Sequence, residues 1–354
     1  MWLLLAGGVA ALSWWITGLL VSKASLLRSI DHPNERSLHS KPTPRSGGVA
    51  ILASVLIGLG VAALGYAVVP RSTGFLPNGF ASASVWIVGS IALVATVSFL
   101  DDRRGLPIGL RFAVQAIAAG IVVWGAGLTL PSIPIPGITT IGLGWFAAPV
   151  SVLFLLWMTN LYNFMDGMDG FAGGMTVIGC GLLGYLGWQA QHPVIPVIAT
   201  LQSAAAAGFL VRNFPPARIF MGDVGSVCTG FLVAALIVLG CRDGVFDLWV
   251  PLIVFSPFIL DASVTLVRRA YRHEKVWEAH REHFYQRLVL SGWGHRRTVL
   301  AEYGVMALCG GFALLYQYAL EEWRLVILGF WGLLFLSLAL AVKGVEQRVQ
   351  PVGS

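Results

Sequence analysis

Five aspartates carry the chemistry open to this sequence. Asp101 and Asp102 stand side by side, Asp166 and Asp169 share a Gly-rich turn, and Asp223 stands alone, all close behind or ahead of apolar runs. Adjacent carboxylates repel each other and lose hydration near lipid, so the 101–102 pair needs a cation or a donor beside it. In DDRRGLP (101–107) that partner can be Arg103 and Arg104, making the motif an interfacial stop signal, or it can be a ligand cation.

The run NLYNFMDGMDG (160–170) is more specific. On a helix Asn160, Asn163 and Asp166 share one face through i, i+3 spacing. Gly167 and Gly170 then let the backbone turn tightly against a ligand. Carboxylate and amide oxygens suit Mg²⁺, a hard cation that keeps waters and shares phosphate oxygens, with Mn²⁺ as a substitute. The plainer alternative is an amide-rich helix end. In RIFMGDVGS (218–226), Asp223 precedes an apolar run and reads equally as a helix N-cap or as an acidic metal ligand. Phe220 offers a ring for a base to stack on.

In HREHFYQR (280–287), His280 and His283 stand one helical turn apart beside Arg281 and Arg287. Two histidines underfill a zinc site. Arg forks and imidazoles donating to an anionic phosphate fit better, against a basic loop that faces anionic lipid. Lys41 and Arg45 precede Gly47-Gly48, a Gly pair opening a helix that could hold phosphate, and DHPNER (31–36) adds polar groups upstream. Asp261 lies inside an apolar span, where a buried hydrogen bond supporting the loop below it is the preferred reading.

The elements that must hold these groups are membrane helices. Of 354 residues, 56% are hydrophobic and 11% charged, against about 25% charged in soluble domains, which excludes a water-soluble fold. The expectation is an all-α integral membrane protein, one polytopic domain over 1–354 with eleven spans: 2–22, 48–69, 84–100, 109–127, 144–164, 172–189, 194–212, 224–241, 249–270, 299–319 and 324–342. The first reads as a retained span, not a signal peptide. Loops alternate sides, and 20 of 23 basic residues fall on one side, leaving Arg71, Arg242 and Arg324 on the other. The positive-inside bias then predicts an external (periplasmic) N-terminus and a cytoplasmic C-terminus, with the acidic loops in the cytoplasm. The basic residues follow this pattern and are not clustered like a binding face, which argues against nucleic acid as a partner. PSIPIPGITTIGLGW (131–145) predicts a small hairpin at the far interface. The four cysteines lie in or at the end of spans without ligand spacing and read as packed thiols. No internal repeat is visible, which counts against inverted-repeat transporters.

These motifs, in this order, resemble the polyprenyl-phosphate N-acetylhexosamine-1-phosphate transferases, the superfamily of MraY and WecA. The matching segments are PTPRSGG (42–48), DDRRGLP, NLYNFMDGMDG, FMGDVGS (220–226) and HREHFYQRL (280–288). Eleven spans look like the WecA branch, and the last segment is similar to the WbpL-type enzymes that begin O-antigen synthesis rather than to MraY. The resemblance implies transfer of an N-acetylaminosugar-1-phosphate from a UDP-sugar to undecaprenyl (polyprenyl) phosphate, releasing UMP, at the cytoplasmic face of the bacterial inner membrane. Carried over by position, Asp223 would ligate Mg²⁺ with Asn163 nearby on the metal or diphosphate. Phe220 would stack on uracil and Asp169 contact the nucleotide, with Asp166 among the catalytic carboxylates and Asn160 among the substrate contacts. Asp101 and Asp102 would face the lipid phosphate, Asp101 as the candidate base. His280, Arg281 and His283 would hold diphosphate or sugar, helped by Lys41 and Arg45. A homodimer is compatible with the superfamily. The alternatives are a peptidoglycan-type phospho-MurNAc-pentapeptide transferase and, in another class, an ion-coupled transporter, which would want ionisable groups at the midplane where Asp261 alone qualifies.

Overall fold

The computed structural model describes residues 2–22, 29–33, 38–68, 80–275 and 280–349. Asn34, Glu35 and Arg36 of the first polar loop, and the basic residues Lys23, Arg28 and Arg71 of the charge count, lie outside the described residues.

Hydropathy decides the architecture, because a chain in lipid must satisfy its backbone within each segment, which a helix does. The long helices are α1 (Trp2–Val21), α2 (Gly47–Val68), α3 (Phe80–Arg104), α4 (Ile108–Gly120), α5 (Ala147–Phe164), α6 (Phe171–Gln189), α7 (Ile195–Asn213) and α8 (Gly222–Arg242). They continue as α9 (Trp249–Val254), α10 (Ser256–Tyr271), α11 (Phe284–Leu288), α12 (Gly294–Tyr318) and α13 (Glu321–Val349). A π-helical turn (Ile121–Gly125) lengthens α4. Among the described residues, ten helical segments are long and apolar enough to cross a membrane.

The segment predicted as the ninth of eleven spans, 249–270, is helical but broken into α9 and α10 around Phe255. The cause is Pro257. It lacks an N–H and sits in the first turn of α10, where a helix tolerates proline but not continuation through it. The predicted hairpin is present. β3 (Ser132–Ile135) pairs antiparallel with β4 (Thr139–Gly142), and a shorter pair joins β1 (Ile30–Asp31) to β2 (Thr43–Pro44).

The core is centred on α8, in which every residue from Val224 to Gly240 is buried. In lipid, helices approach through small residues and van der Waals packing. Gly230 faces Tyr162 and the backbone of Met158 on α5, and Gly225 meets Gly48 of α2 backbone to backbone. α13, by contrast, presents Leu325, Phe330, Leu333, Leu336 and Leu340 outward. It is pinned where Trp331 Nε1 donates to Ser256 Oγ at 3.1 Å and where Arg287 pairs with Glu346. The ends of α3 and α5, the starts of α2, α8 and α12, and the β1–β2 pair meet at one end of the bundle.

Candidate active site

That end holds a polar cavity of about 390 Å³ lined by Asp31, Leu38, His39, Arg45, Asp102, Asn163, Asp166, Gly167, Met168, Asp169, Asn213, Phe220, Gly222, Asp223, Gln286 and His295. A smaller cavity of about 110 Å³ adjoins it, with Asp101, Arg111, Gln115 and Asn160 on its polar side and Val94, Ile108, Phe112, Phe164 and Val227 on its apolar side. Asn163 and Asp223 stand in the walls of both.

Asp223 owes its position to Asp102. The Asp102 carboxylate accepts the N–H groups of Asp223 and Val224, each at 3.3 Å, and so caps α8 from another helix. The choice left open for Asp223 is thereby resolved structurally: its side chain is not the cap and points into both cavities. Gly222 makes the turn into α8 at φ 72°, a left-handed conformation that glycine adopts without strain, and a Cβ there would strike the Arg45 carbonyl. Arg45 itself donates to the Asp102 carbonyl at 2.5 Å and stands 3.6 Å from its carboxylate.

Asp101 is buried and heavily engaged. It accepts the Leu106 N–H at 2.6 Å and Arg111 Nη1 at 2.7 Å, and it lies within hydrogen-bonding reach of the Asp223 carboxyl. Arg111 Nη1 is also 3.5 Å from Asp223, so one guanidinium sits between two carboxylates. Asn163 Oδ1 accepts the Ser226 hydroxyl at 2.7 Å, and Asn160 donates to Gln115 at 2.8 Å. Asp166 accepts the Gly222 N–H, while burial first and then the charges of Asp223 and Asp102 push its carboxyl well above the usual range. Asp169 is buried, accepts the Ala217 N–H at 2.9 Å and lies 3.2 Å from His295 Nδ1. The Phe220 ring meets His39 edge-on at 4.8 Å.

The predicted histidine loop is placed differently. His280, Arg281 and His283 line neither cavity. His283 is buried on Asp261, its Nδ1 3.1 Å from Oδ1, and Asp261 also accepts the N–H groups of Phe284 and Tyr285 at 2.9 and 3.2 Å. Asp261 thus supports the loop, the structural reading preferred for it over a functional one. Arg281 and Lys41 are exposed. The Gly47-Gly48 helix start is not an open anion site. Its N–H groups donate to the carbonyls of Phe220 and Met221 at 2.9 and 2.7 Å, which leaves them spent on holding that segment.

Sequence reasoning passed over Arg111, His39, Gln286 and His295. Arg111 was counted only as an inside charge, although its place ten residues after Asp101, beyond a Gly-Leu-Pro turn, was a usable signal. Among the described residues, no three of His, Cys, Asp and Glu form a ready-made metal cage. The donor set nonetheless fits Mg²⁺, which is held by one or two carboxylates plus substrate phosphates. Asp166 and Asp223 repel each other across the cavity, and a divalent cation between them would relieve that repulsion.

Residues 84–241 match the model of Glycosyl transferase family 4. The chain is 29% identical, over 95% of its length and 90% of the relative's, to the probable undecaprenyl-phosphate N-acetylglucosaminyl 1-phosphate transferase of Bacillus subtilis. It is 32% identical to the decaprenyl-phosphate N-acetylglucosaminephosphotransferase of Mycobacterium tuberculosis, covering 83% of this chain and 77% of that one. It is also 32% identical to a phospho-N-acetylmuramoyl-pentapeptide-transferase of Synechococcus, over 76% and 77% of the two chains. With the helical bundle and its acidic end, these matches define a multi-pass membrane transferase. The chain belongs to glycosyl transferase family 4.

Proposed function

We propose that the protein transfers an N-acetylaminosugar-1-phosphate from a UDP-sugar to undecaprenyl phosphate at the cytoplasmic face of a bacterial inner membrane, an opening step of O-antigen or envelope polysaccharide synthesis. The observation that carries this reading is the pair of cavities joined at Asn163 and Asp223. The larger, polar and bearing Phe220, suits a nucleotide diphosphate. The smaller, lined by a carboxylate, a guanidinium and several apolar side chains, suits the phosphate end of a lipid. The names of the relatives, which pair polyprenyl phosphates with N-acetylglucosamine phosphate, support the same pairing.

An oxygen of the lipid phosphate attacks the sugar-linked phosphorus of the donor. The P–O bond to the nucleotide phosphate breaks, and UMP leaves with that oxygen. A phosphate monoester has a second pKa of about 6 and is largely dianionic at neutral pH, so its deprotonation needs little help. The harder task is bringing two polyanions together. Arg111, fixed by Asp101, serves the acceptor phosphate, and Asp102 fixes Asp223 where the donor diphosphate must lie. Asp223 and Asp166, with the Asn163 amide nearby, would hold Mg²⁺, which when bound neutralises the diphosphate and polarises the reacting phosphorus.

The test is UMP release by purified protein given polyprenyl phosphate, Mg²⁺ and a panel of UDP-N-acetylaminosugars, including UDP-MurNAc-pentapeptide. UMP that appears only with lipid acceptor, one donor and metal, and stops with EDTA, is the expected result. UMP from the pentapeptide donor would move the chain to the peptidoglycan-type reaction. No UMP from folded protein with any donor would overturn the proposal.

A further inference from the structure

His295 takes no part in the scheme above, yet it joins three segments of the larger cavity. It lies in the first turn of α12, with Nδ1 3.2 Å from Asp169 Oδ1 and Nε2 3.3 Å from the Leu38 carbonyl oxygen. The other Asp169 oxygen receives the Ala217 N–H at 2.9 Å, three residues before Phe220. Leu38 is followed by His39, whose ring abuts Phe220 at 4.8 Å with the planes 63° apart. One imidazole therefore sits between the first polar loop and the turn after α5, whose Asp169 in turn holds the segment leading to Phe220. Leu38, His39, Asp169, Phe220 and His295 all line the larger cavity, and none of them lines the smaller one that holds Asp101 and Arg111.

The fold does not need His295 for this turn. Gly170 is already anchored from α12 by the Tyr303 hydroxyl, which donates to its carbonyl at 2.7 Å, and from α7 by Asn213 Oδ1, which accepts its N–H at 3.0 Å. What His295 adds is orientation of the Asp169 carboxylate and of the Leu38-His39 backbone. Both its ring nitrogens face oxygen acceptors, a bridge that a single amide side chain cannot reproduce.

We propose that His295 is a positioning residue for the nucleotide donor. It sets the gap between Phe220, His39 and Asp169 into which a planar base slides, and so acts on donor binding but not on the lipid acceptor or on phosphoryl transfer. The inference rests on the functional reading above, with the larger cavity as the donor site.

The experiment is steady-state kinetics of the full-length wild type, His295→Gln and Tyr303→Phe with both substrates varied, plus calorimetric binding of UMP in the absence of acceptor. For His295→Gln the expectation is a donor KM raised about tenfold or more with kcat within about threefold and acceptor KM unchanged, the pattern of lost uniform binding. UMP should bind more weakly by a similar factor. Tyr303→Phe should lower thermal stability while leaving donor KM near wild type, separating the turn's anchorage from its alignment. An unchanged donor KM, a fall confined to kcat, or equal rises in both KM values would overturn the assignment. If His295→Gln fails to fold, His295→Asn takes the same measurements. An inactive wild type would defeat the functional reading instead, so the two failures are distinguishable.

Discussion

Asp101 shows how much of a residue's role depends on neighbours that a sequence does not display. Beside Asp102 it reads as a candidate base, but its oxygens are occupied by Leu106 N–H and Arg111. A base role and an anchoring role differ in measurable ways. Removing a general base costs about 10²- to 10⁴-fold and erases the acid limb of the pH–rate profile. If Asp101 instead holds Arg111, then Asp101→Asn and Arg111→Gln damage the same unit, and the double variant falls no further than the worse single one. The expected outcome is this non-additivity in kcat/KM for the lipid acceptor, and multiplicative losses would restore the base. The five carboxylates and the Asn-rich turn were legible because charged and amide groups beside apolar runs are rare. The partition of Asp223 between cap and ligand was not, because its cap, Asp102, lies 121 residues away.

At the scale of elements, contacts between helices are set by absent side chains. Gly48 and Gly225 bring the starts of α2 and α8 together so closely that a Cβ on Gly48 would overlap the Gly225 backbone. The same junction carries the hydrogen bonds from Gly47 and Gly48 to Phe220 and Met221. Gly48→Ala should therefore destabilise the protein by about 1–3 kcal/mol, the usual cost of overpacking, and lower activity through displacement of Phe220 and Asp223. Thermal unfolding in detergent and UMP release check the two effects, and a variant as stable and active as wild type would refute the close approach.

The 280–283 loop gives a pH dependence. Burial, then the His283 ring and the Arg269 guanidinium, lower the His280 imidazole to about 4, against the opposing pull of Glu282 and Asp261. An unfolded histidine titrates at about 6.5. Between those values the unfolded chain binds a proton that the folded chain refuses, so stability falls as pH drops through that window. The melting temperature should decline from about pH 6.5 toward about pH 4, and His280→Gln should decline less, since it lacks the proton that drives the loss. Helix existence was legible throughout from hydropathy. The break at Phe255 was not read, although Pro257 was its visible cause, because length and apolarity alone describe 249–270 as one span.

For the whole molecule, the distribution of charge bears on which way it faces. Among the described residues, the end that carries the carboxylates also carries Arg103, Arg104, Arg111, Arg212, Arg218, Arg268, Arg269, Arg272 and Lys275, far more basic charge than the opposite end. There, Arg242 is matched to Asp243 at 2.7 Å and Arg324 to Asp247 at 3.6 Å. Lys and Arg next to spans are what hold a loop in the cytoplasm. The opposite end presents the β3–β4 hairpin with Ile138 and, beside it, Trp145 at 98% exposure and Phe146, the amphipathic ring placement of a membrane–water interface. The charge bias supports the proposed orientation, with the carboxylate end inward where a soluble nucleotide-sugar would be met. Cysteines introduced one at a time at two exposed sites decide it: Arg104→Cys at the carboxylate end and Thr140→Cys on the hairpin. The native cysteines interfere little, since Cys180, Cys228 and Cys309 are buried and Cys241 is half-buried. In intact cells whose outer membrane is made leaky, a membrane-impermeant maleimide should label Thr140→Cys at once and Arg104→Cys only after the inner membrane is opened. The reverse order would place the carboxylates outside, away from any cytoplasmic pool of nucleotide-sugar, and would defeat the orientation and the cytoplasmic reaction together.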